Sequence, residues 1–545
     1  MNVPAQGPAG CLSTAARPAT GVPAPPIVVV GAGIGGLVAA LLLACRGHEV
    51  TLLERGDSPG GKMRAVAVDG VPIDAGPTVF TMRWVFDEIL AEAGCRLDEL
   101  VTLSPLSILA RHAWRGWPAT LDLDAEPRRS AESIAAFATP AEGRRFVAFC
   151  DEARRVYRRL EGPYIRSERP GFWRMLTDLG PSGLGELAGL GPFASLWRSL
   201  GRHFHDPRLR QLFARYATYC GASPWHAPAT LMLIAHVEMD GVWSIDGGMD
   251  TLARRLAGLA EARGVQLRYG AHVERVLVDG GRARGVQLAG GERIPARAVV
   301  FNGDVDALAA AMLGRGAARA VRSPTPPRRR SLGALTWAMR VRSRGFQLAR
   351  HNVFFDDDYR SEFTDIVQRR QLPRKGTVYV CAQDRADDGR APEGPERLLA
   401  LVNAPADGDT RLFDDSEVES CRHRSLELMS QCGLDLEIGN AAQQVLCRTP
   451  AEFERLYPGS GGALYGAATH GWMALFRRPA ARSALPGLYL AGGSVPPGPG
   501  VPMAAMSGRL AAATIAADLA STHRSSRVHI AGGTWTPSAT TVATP

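Results

Sequence analysis

Three glycines near the start of the chain are the first residues whose type and spacing indicate chemistry. Gly31, Gly33 and Gly36 form a G-x-G-x-x-G pattern directly after the β-branched run 27–30. In such a pattern the first glycine permits a tight turn, the second lets a pyrophosphate approach the backbone, and the third lets helix and strand pack closely. The pattern predicts a dinucleotide-binding βαβ unit. The charge-free stretch 27–45 is therefore predicted to be a strand and a buried helix, not a membrane span.

A carboxylate follows the second predicted strand, at residues 49–53. Glu54 stands where such units hydrogen-bond the adenosine ribose, and its charge disfavours a cofactor with a ribose 2′-phosphate. The residues after it end in Gly60-Gly61-Lys62. This segment resembles the E-x(5,6)-G-G-[RK] segment of glutathione-reductase-like FAD proteins such as amine oxidases and carotene desaturases. The resemblance implies that Gly61 and Lys62 continue the nucleotide fold, with Lys62 over the phosphates where these families usually carry arginine.

A second motif narrows the resemblance. Residues 73–80, I-D-A-G-P-T-V-F, resemble the D-x-G-P-T motif of bacterial phytoene-desaturase-type enzymes. Residues 81–87 and 236–243 are similar, more narrowly, to the 1-hydroxycarotenoid 3,4-desaturases. The resemblance implies that the turn passes close to the flavin ring through Gly76, Pro77 and Thr78.

The C-terminal region supplies a second glycine turn. The strand-like run 487–491 leads into Gly492 and Gly493, and a Pro/Gly-rich loop then enters an alanine-rich helix. Glycine here lets backbone approach the flavin's ribityl chain and phosphate, and the helix start at Val501 to Met503 can stabilise negative charge on the reduced flavin. The resemblance also makes Val273 the residue whose backbone meets the adenine.

The expected cofactor is non-covalent FAD, and no metal is expected. The last cysteine, Cys447, precedes the C-terminal glycine loop, so a cysteinyl flavin linkage is not available there. The nine cysteines form no CxxC pair and no metal-ligand spacing. Four histidines in the substrate region could accept a proton, namely His203, His205, His226 and His236. A lone histidine is more often structural, so no catalytic acid or base is assigned.

These motifs require an α/β fold with two parts. A Rossmann-like FAD-binding domain of the glutathione-reductase/amine-oxidase type is expected from residues 26–88, 240–305 and 480–520. An inserted α+β substrate domain is expected from residues 89–239 and 306–479. The ends, 1–25 and 521–545, are rich in Pro and Ala or in Ser and Thr and are expected to be disordered. The chain has 545 residues, which is ample for two such domains.

The charge balance and the arginine-rich region bear on partners and location. Lys plus Arg number 63 against 54 Asp plus Glu, and coding bias explains much of this excess, so no nucleic-acid partner is expected. Between Arg144 and Tyr219, arginines alternate with aromatics, including Phe172, Trp173 and Arg174. Two interpretations remain open, a membrane-interfacial surface and a helical lid with a solvated arginine face. A C40 substrate favours the membrane, which predicts a cytoplasmic protein peripherally associated with the inner or photosynthetic membrane.

The resemblance implies an FAD-dependent carotenoid desaturase that introduces a C-3,4 double bond into acyclic 1-hydroxy or 1-methoxy carotenoids such as 1-hydroxyneurosporene. The alternatives are a phytoene desaturase, a flavin amine oxidase and a non-enzymatic prenyl-binding escort protein. The departure from the phytoene-desaturase pattern at 81–87 is expected to correspond to a tunnel that seats an oxygenated chain end near the flavin. The oligomeric state is left open.

Overall fold

The computed structural model describes residues 25–168, 171, 194–386, 390–438 and 445–526. The strands in chain order are β1 Ile27–Val30, β2 Val50–Leu53, β3 Ala65–Val68, β4 Val71–Asp74, β5 Phe80–Thr81, β6 Leu103–Pro105, β7 Ile108–Trp114, β8 Leu121–Asp124, β9 Val242–Ile245, β10 Gln266–Arg268, β11 Val273–Asp279, β12 Arg282–Leu288, β13 Arg293–Pro295, β14 Ala298–Phe301, β15 Gly333–Gly345, β16 His351–Phe355, β17 Val378–Ala382, β18 Glu396–Ala404, β19 Leu434–Glu437, β20 Val445–Arg448 and β21 Leu488–Leu490.

The α-helices in chain order are α1 Ile34–Cys45, α2 Arg83–Glu92, α3 Leu97–Leu100, α4 Pro127–Phe137, α5 Pro140–Leu160, α6 Leu196–His203, α7 Pro207–Ala214, α8 Leu233–Met239, α9 Met249–Ala262, α10 Val305–Ala309, α11 Arg315–Ala318, α12 Tyr359–Phe363, α13 Asp415–Gln431, α14 Pro450–Leu456 and α15 Val501–Ser526. Short 3₁₀ helices span Arg215–Cys220, Ala229–Met232, Pro327–Arg329 and Trp472–Phe476, and π-helical turns span Glu161–Ile165 and Thr364–Arg369.

A five-stranded parallel sheet forms the nucleotide side of the molecule, in the order β10-β2-β1-β14-β21. Its strands come from the three separate segments of the chain that the motifs assign to the FAD domain. The first three residues of β1 are fully buried, as a central strand of a parallel sheet covered on both faces should be. Helix α1 is buried around most of its circumference and packs against α15, where Gly508 comes close to the Gly35 carbonyl.

A larger mixed sheet forms the second side, in the order β19-β15-β18-β17-β16-β7-β8, with β20 also paired to β15. Strand β15 is long enough to pair with β18 along one edge and with β20 and β19 in succession along the other. Strands β7 and β8 join this sheet from the first substrate block, and β15 to β20 join it from the second. The two blocks therefore build one sheet, which gives the inserted α+β arrangement that the sequence predicts.

The two sides are joined at the turn that carries the D-x-G-P-T motif. Gln383 Nε2 donates to the Asp74 carbonyl (2.8 Å), and the Asp74 N–H donates back to Gln383 Oε1 (2.9 Å). This reciprocal pair fixes the end of β4 against the large sheet. At the C-terminus α15 continues to Ser526, so regular structure extends beyond residue 520, where the tail was expected to begin.

The arginine-rich region is helical where the structure describes it. The aromatics Phe149, Phe204 and Phe213 are buried and their rings contact one another, while Arg144, Arg154, Arg155 and Arg158 on α5 are exposed. These aromatics belong to the core, because packing against neighbouring helices covers them. Phe172, Trp173 and Arg174 lie outside the described residues. Within the described ranges, no helix has both the length and the apolar character needed to cross a bilayer.

Candidate active site

A cavity of about 1370 Å³ runs between the two sides of the molecule. It is larger than the roughly 300–1,000 Å³ that encloses one drug-sized ligand, so a dinucleotide and a second molecule can share it. All of the expected cofactor residues except Gly36 line it, namely Gly31, Gly33, Glu54, Gly61, Lys62, Gly76, Pro77, Thr78, Val273, Gly492, Gly493, Val501 and Met503. Residues from both ends of the chain therefore meet around one space.

The glycine turn after β1 shows why each glycine is needed. Gly31 has φ +97°, in the left-handed region that favours glycine. A Cβ on Gly36 would lie 2.1 Å from the Gly31 carbonyl oxygen, so this glycine packs helix against strand and does not line the cavity. Gly33 is the N-cap residue of helix α1, which has no side-chain cap and no acidic residue in its first turn. Its positive end is thus open to an anion in the cavity.

Glu54 is held in place by backbone groups at the end of β2. Its Oε2 accepts a hydrogen bond from the Ala32 N–H (2.8 Å), and its Oε1 accepts one from the Gly56 N–H (2.8 Å). Both oxygens retain lone pairs for a ligand hydroxyl. The position and the acceptor chemistry fit the ribose of an adenine nucleotide.

Two cationic side chains line the cavity next to its glycine turns, Lys62 beside Gly61 and Arg478 against Gly493. Lys62 Nζ donates to the Leu464 carbonyl (2.6 Å), and burial lowers the pKa of this ammonium, an effect that Asp304 opposes and Arg478 reinforces. Arg478 also lines the cavity and donates to the carbonyls of Gly493 (3.1 Å) and Ala467 (2.9 Å). An anion bound here would relieve the burial of two neighbouring positive charges. That Lys62 lies over the phosphates stays a prediction.

Asn302 is a site residue that the motifs missed. It follows β14, and its Nδ2 donates to the Gly31 carbonyl (3.1 Å). A Cβ on Gly492 would lie 2.8 Å from Asn302 Oδ1, so the same side chain touches both glycine turns. The available signal was its position, the first residue after a buried parallel strand, where ligand-binding residues concentrate in such sheets.

The turn after β4 is organised by a buried carboxyl group. Asp74 Oδ2 accepts a hydrogen bond from the Met249 N–H at the start of α9 (2.7 Å). Burial raises the pKa of Asp74, although the hydrogen bonds from Met249 and Asp250 oppose the shift. Beyond it, Thr78 Oγ1 and the Tyr379 hydroxyl share a hydrogen bond of 2.7 Å. The turn is therefore fixed at both ends, with Thr78 facing the cavity.

Past this turn the cavity becomes an apolar chamber with one polar wall. Its apolar residues are Leu160, Ile165, Leu231, Leu233, Ile234 and Val237. Its polar wall includes Arg215, Tyr219, Glu238 and Tyr379, none of which the sequence analysis singled out as a site residue.

The four histidines of the substrate region and the segment 81–87 have a small part in this chamber. His203, His205, His226 and His236 are not among the described residues that line the cavity. The ring of His236 packs edge-on against Tyr157 (4.8 Å between centroids). From the segment 81–87, Thr81 and Met82 line the cavity, while α2 begins at Arg83 and carries the remaining residues away.

A nucleotide cradle on a parallel sheet, joined to an apolar substrate chamber, defines a flavoprotein oxidoreductase. The model of the family of flavin-containing amine oxidoreductases matches residues 34–516, and the chain belongs to this family. The protein is an FAD-dependent oxidoreductase, and the residues that line the cradle fit that cofactor.

Relatives with assigned activities agree with the narrower resemblance. The chain is 63% identical to a hydroxyneurosporene desaturase of Rubrivivax gelatinosus over 94% of this chain and 98% of the relative. It is 46% identical to a hydroxyneurosporene desaturase of Cereibacter sphaeroides, over 92% and 99% of the two chains. It is 31% identical to a zeta-carotene-forming phytoene desaturase of Myxococcus xanthus, over 89% of this chain and 92% of the relative. The resemblance to hydroxyneurosporene-desaturase-type carotenoid oxidoreductases is thereby confirmed.

Solved structures support the fold. A putrescine oxidase bound to putrescine superposes with a TM-score of 0.56 at 18% identity, over 90% of this chain and 99% of that one. An oxidoreductase from Methanosarcina mazei superposes with a TM-score of 0.56 at 16% identity, over 89% of this chain and 98% of that one. The α/β fold class is confirmed.

Proposed function

We propose that the protein introduces a C-3,4 double bond into acyclic 1-hydroxy or 1-methoxy carotenoids, with 1-hydroxyneurosporene as a representative substrate. The observation that carries the proposal is the cavity, in which the nucleotide cradle is continuous with a chamber lined by apolar side chains and a polar cluster that includes Arg215, Tyr219 and Glu238. A linear polyene requires an apolar chamber, and an oxygenated end requires a polar group within it. Identity of 63% to a hydroxyneurosporene desaturase supports the same substrate class.

The reaction is a two-electron oxidation that removes two hydrogens from adjacent carbons. Bound FAD supplies the hydride acceptor. The protein has to hold the polyene against the cofactor, fix its register and exclude water. Loss of hydride from the allylic carbon leaves positive charge on the polyene and acidifies the C–H bond of the neighbouring carbon, so a weak base or water suffices to take the remaining proton. The apolar residues of the chamber provide the exclusion, and the Thr78 turn borders the cradle where it opens into the chamber.

The test is turnover by the purified FAD-loaded protein with four substrates, 1-hydroxyneurosporene, its 1-methoxy analogue, neurosporene and phytoene. We expect a 3,4-didehydro product from the first two and little or no desaturation of phytoene. Chromatography with absorption spectra detects the longer polyene directly. Conversion of phytoene, with the hydroxylated carotenoid untouched, would instead establish the phytoene-desaturase alternative.

The proposal extends to peripheral association with a membrane. A C40 hydrocarbon partitions into lipid, so the protein must collect it there. The exposed arginines of α5 can pair with anionic headgroups, and the C-terminal end of the same helix reaches the cavity at Leu160. Helix α5 is therefore the proposed membrane-facing element.

A further inference from the structure

An arginine stands in the wall of the apolar chamber. Arg215 begins the 3₁₀ helix Arg215–Cys220, and its Nη1 donates a hydrogen bond to the Tyr219 hydroxyl (2.9 Å). Its guanidinium carbon lies 5.2 Å from the ring centroids of both Tyr219 and Tyr379. No ion pair with Arg215 occurs in the part of the chain that the structure describes. A guanidinium has five N–H donors, so Arg215 can donate further bonds into the cavity that it lines.

A carboxyl group completes the polar wall. Glu238, on α8, is buried and lines the same cavity. Its Oε2 accepts a hydrogen bond from the Tyr216 hydroxyl (2.7 Å), and the neighbouring Tyr219 hydroxyl is close enough to influence the pKa of this carboxyl group. The pairs Arg215–Tyr219 and Tyr216–Glu238 meet where the two tyrosine rings contact each other, which places a donor and an acceptor in one polar cluster. Burial raises the pKa of Glu238, while both phenols and Arg215 oppose that shift.

An unpaired hydroxyl lies on the neighbouring element. Thr230 is in the 3₁₀ helix Ala229–Met232, which contacts the helix that carries Arg215. Thr230 lines the cavity, and its Oγ1 is buried with no hydrogen-bond partner among the described residues. Buried polar atoms without partners are rare in folded proteins, so this hydroxyl marks a polar position in the layer behind the cavity surface.

The polar wall is connected to the flavin side of the cavity. The Tyr379 ring lies against Arg215, and the Tyr379 hydroxyl bonds to Thr78, in the turn assigned to the flavin ring. In a 1-hydroxycarotenoid the oxygen is attached to C-1, and C-1 is two bonds from C-3. A group that binds this oxygen must therefore stand beside the reacting carbons, as Arg215 stands beside the Tyr379–Thr78 pair.

Resting on the proposed desaturation, we propose that Arg215 and Glu238 are the specificity-determining pair that binds the terminal oxygen of the substrate. Arg215 donates a hydrogen bond to the oxygen of a hydroxyl or a methoxy group. Glu238 accepts one from the hydroxyl hydrogen, which a methoxy group lacks. Arg215 therefore distinguishes oxygenated from hydrocarbon ends, and Glu238 distinguishes hydroxyl from methoxy ends.

The first test compares Arg215→Gln with Arg210→Gln. Arg210 also stacks on an aromatic ring and donates to a nearby carbonyl, that of Trp197, but it is not among the described residues that line the cavity. For the holoenzyme we expect the preference in kcat/KM for 1-hydroxyneurosporene over neurosporene to fall about 10- to 100-fold in Arg215→Gln. The preference and the FAD content should be unchanged in Arg210→Gln.

Glu238→Gln tests the second half of the pair. A glutamine amide can donate to an ether oxygen, which an ionised carboxylate cannot, so the ratio of 1-hydroxy to 1-methoxy turnover should fall about tenfold. The double variant Arg215→Met/Glu238→Gln leaves no uncompensated buried charge and provides a folded reference if Arg215→Gln is unstable. In this reference the preference for oxygenated ends should also be lost.

Equilibrium binding separates this inference from the proposed reaction. Binding of 1-hydroxyneurosporene and neurosporene to the holoenzyme, followed by quenching of flavin fluorescence, reports the preference even where no product forms. Loss of the binding preference in Arg215→Gln and in the double variant supports the pair. A preference that survives in both FAD-loaded variants overturns it. Absence of a 3,4-didehydro product from the wild type would count against the proposed reaction alone.

Discussion

At the scale of single residues, Gly33 gives a direct test of the cradle. A Cβ there would have Asn302 Nδ2 as its nearest protein neighbour, at 3.0 Å, so a larger side chain would extend into the cavity. We expect Gly33→Val to reduce bound FAD at least about tenfold, because the side chain takes the space of the pyrophosphate. The flavin released on denaturation measures occupancy. Gly258→Val, in open space on α9, is the matched control and should retain FAD, whereas full occupancy in Gly33→Val would show that the turn does not contact the cofactor.

Glu54 tests the ribose side of the same cradle. Replacement by Gln removes the charge. It also turns one of the two acceptor oxygens into an NH2 donor, which then faces the N–H donor of Ala32 or Gly56. We expect FAD to bind about tenfold more weakly in Glu54→Gln, since a backbone donor and a ribose hydroxyl both lose an acceptor. Titration of the apoprotein with FAD gives the dissociation constant. Glu261→Gln, an exposed residue of α9, should bind as the wild type does, and equal affinities for the two variants would contradict the role of Glu54.

The residues that local patterns revealed differ in kind from those that they missed. Gly31, Gly36 and Glu54 could be predicted because the turn that needs them is built from neighbours in sequence. Arg215 and Glu238 could not be predicted, because their roles depend on tertiary contacts. Nothing in the local sequence distinguishes Arg215 from other arginines, and only the folded structure places it between two tyrosines at the cavity wall. Tyr379 meets Thr78 only because the large sheet places two distant segments together.

At the scale of elements, α5 carries the membrane proposal. Arg144, Arg155 and Arg158 lie on its exposed face, while Phe146 and Phe149 on the opposite face are fully buried. Electrostatic attraction to anionic lipid contributes about 1 kcal/mol per arginine, so replacing all three by Ala should weaken binding to anionic liposomes about 100-fold. Flotation at low and high salt measures this.

A matched control keeps the same change in net charge. Arg319, Arg322 and Arg328 are exposed on a different part of the chain, and their triple Ala variant should float with liposomes as the wild type does. Equal losses in both triple variants would indicate a general charge effect instead of an α5 surface. If the wild type itself stays in the soluble fraction, α5 is a lid with a solvated arginine face.

The elements also show how far the fold could be predicted. Strand β14 and the turn between β11 and β12 each have a local signal in the sequence, a β-branched pair in 298–301 and the run Asp279-Gly280-Gly281. The order of the central sheet required the family resemblance, because β21 joins it from the far end of the chain. The pairing of β15 with β18, β19 and β20 could not be predicted from the sequence. Which strands lie along each edge of β15 is decided by the tertiary arrangement of distant segments.

At the scale of the whole molecule, buried histidines make stability depend on pH. Burial lowers the pKa of His112 to about 4, of His470 to about 4 and of His351 to about 3. In the unfolded chain a histidine titrates near 6.5. Below pH ~6.5 these histidines bind protons in the unfolded state but stay neutral in the folded state. The free energy of unfolding is therefore highest above pH ~6.5 and falls as the pH drops towards the pKa values of the folded state.

His112 allows this linkage to be measured at a single group, which does not itself line the cavity. It lies in the large sheet, where its Nδ1 bonds to the Leu121 carbonyl (3.1 Å). Between pH 7.5 and 5.5 one such histidine should cost about 1.4 kcal/mol of unfolding free energy. His112→Asn keeps a donor near the position of Nδ1 but cannot titrate. Between pH 7.5 and 5.5 its free energy of unfolding, measured by urea titration, should therefore fall by about 1.4 kcal/mol less than that of the wild type. The exposed His423→Asn should show the wild-type slope. Were His112→Asn to lose stability as steeply as the wild type, the imidazole would have to accept its proton inside the folded sheet.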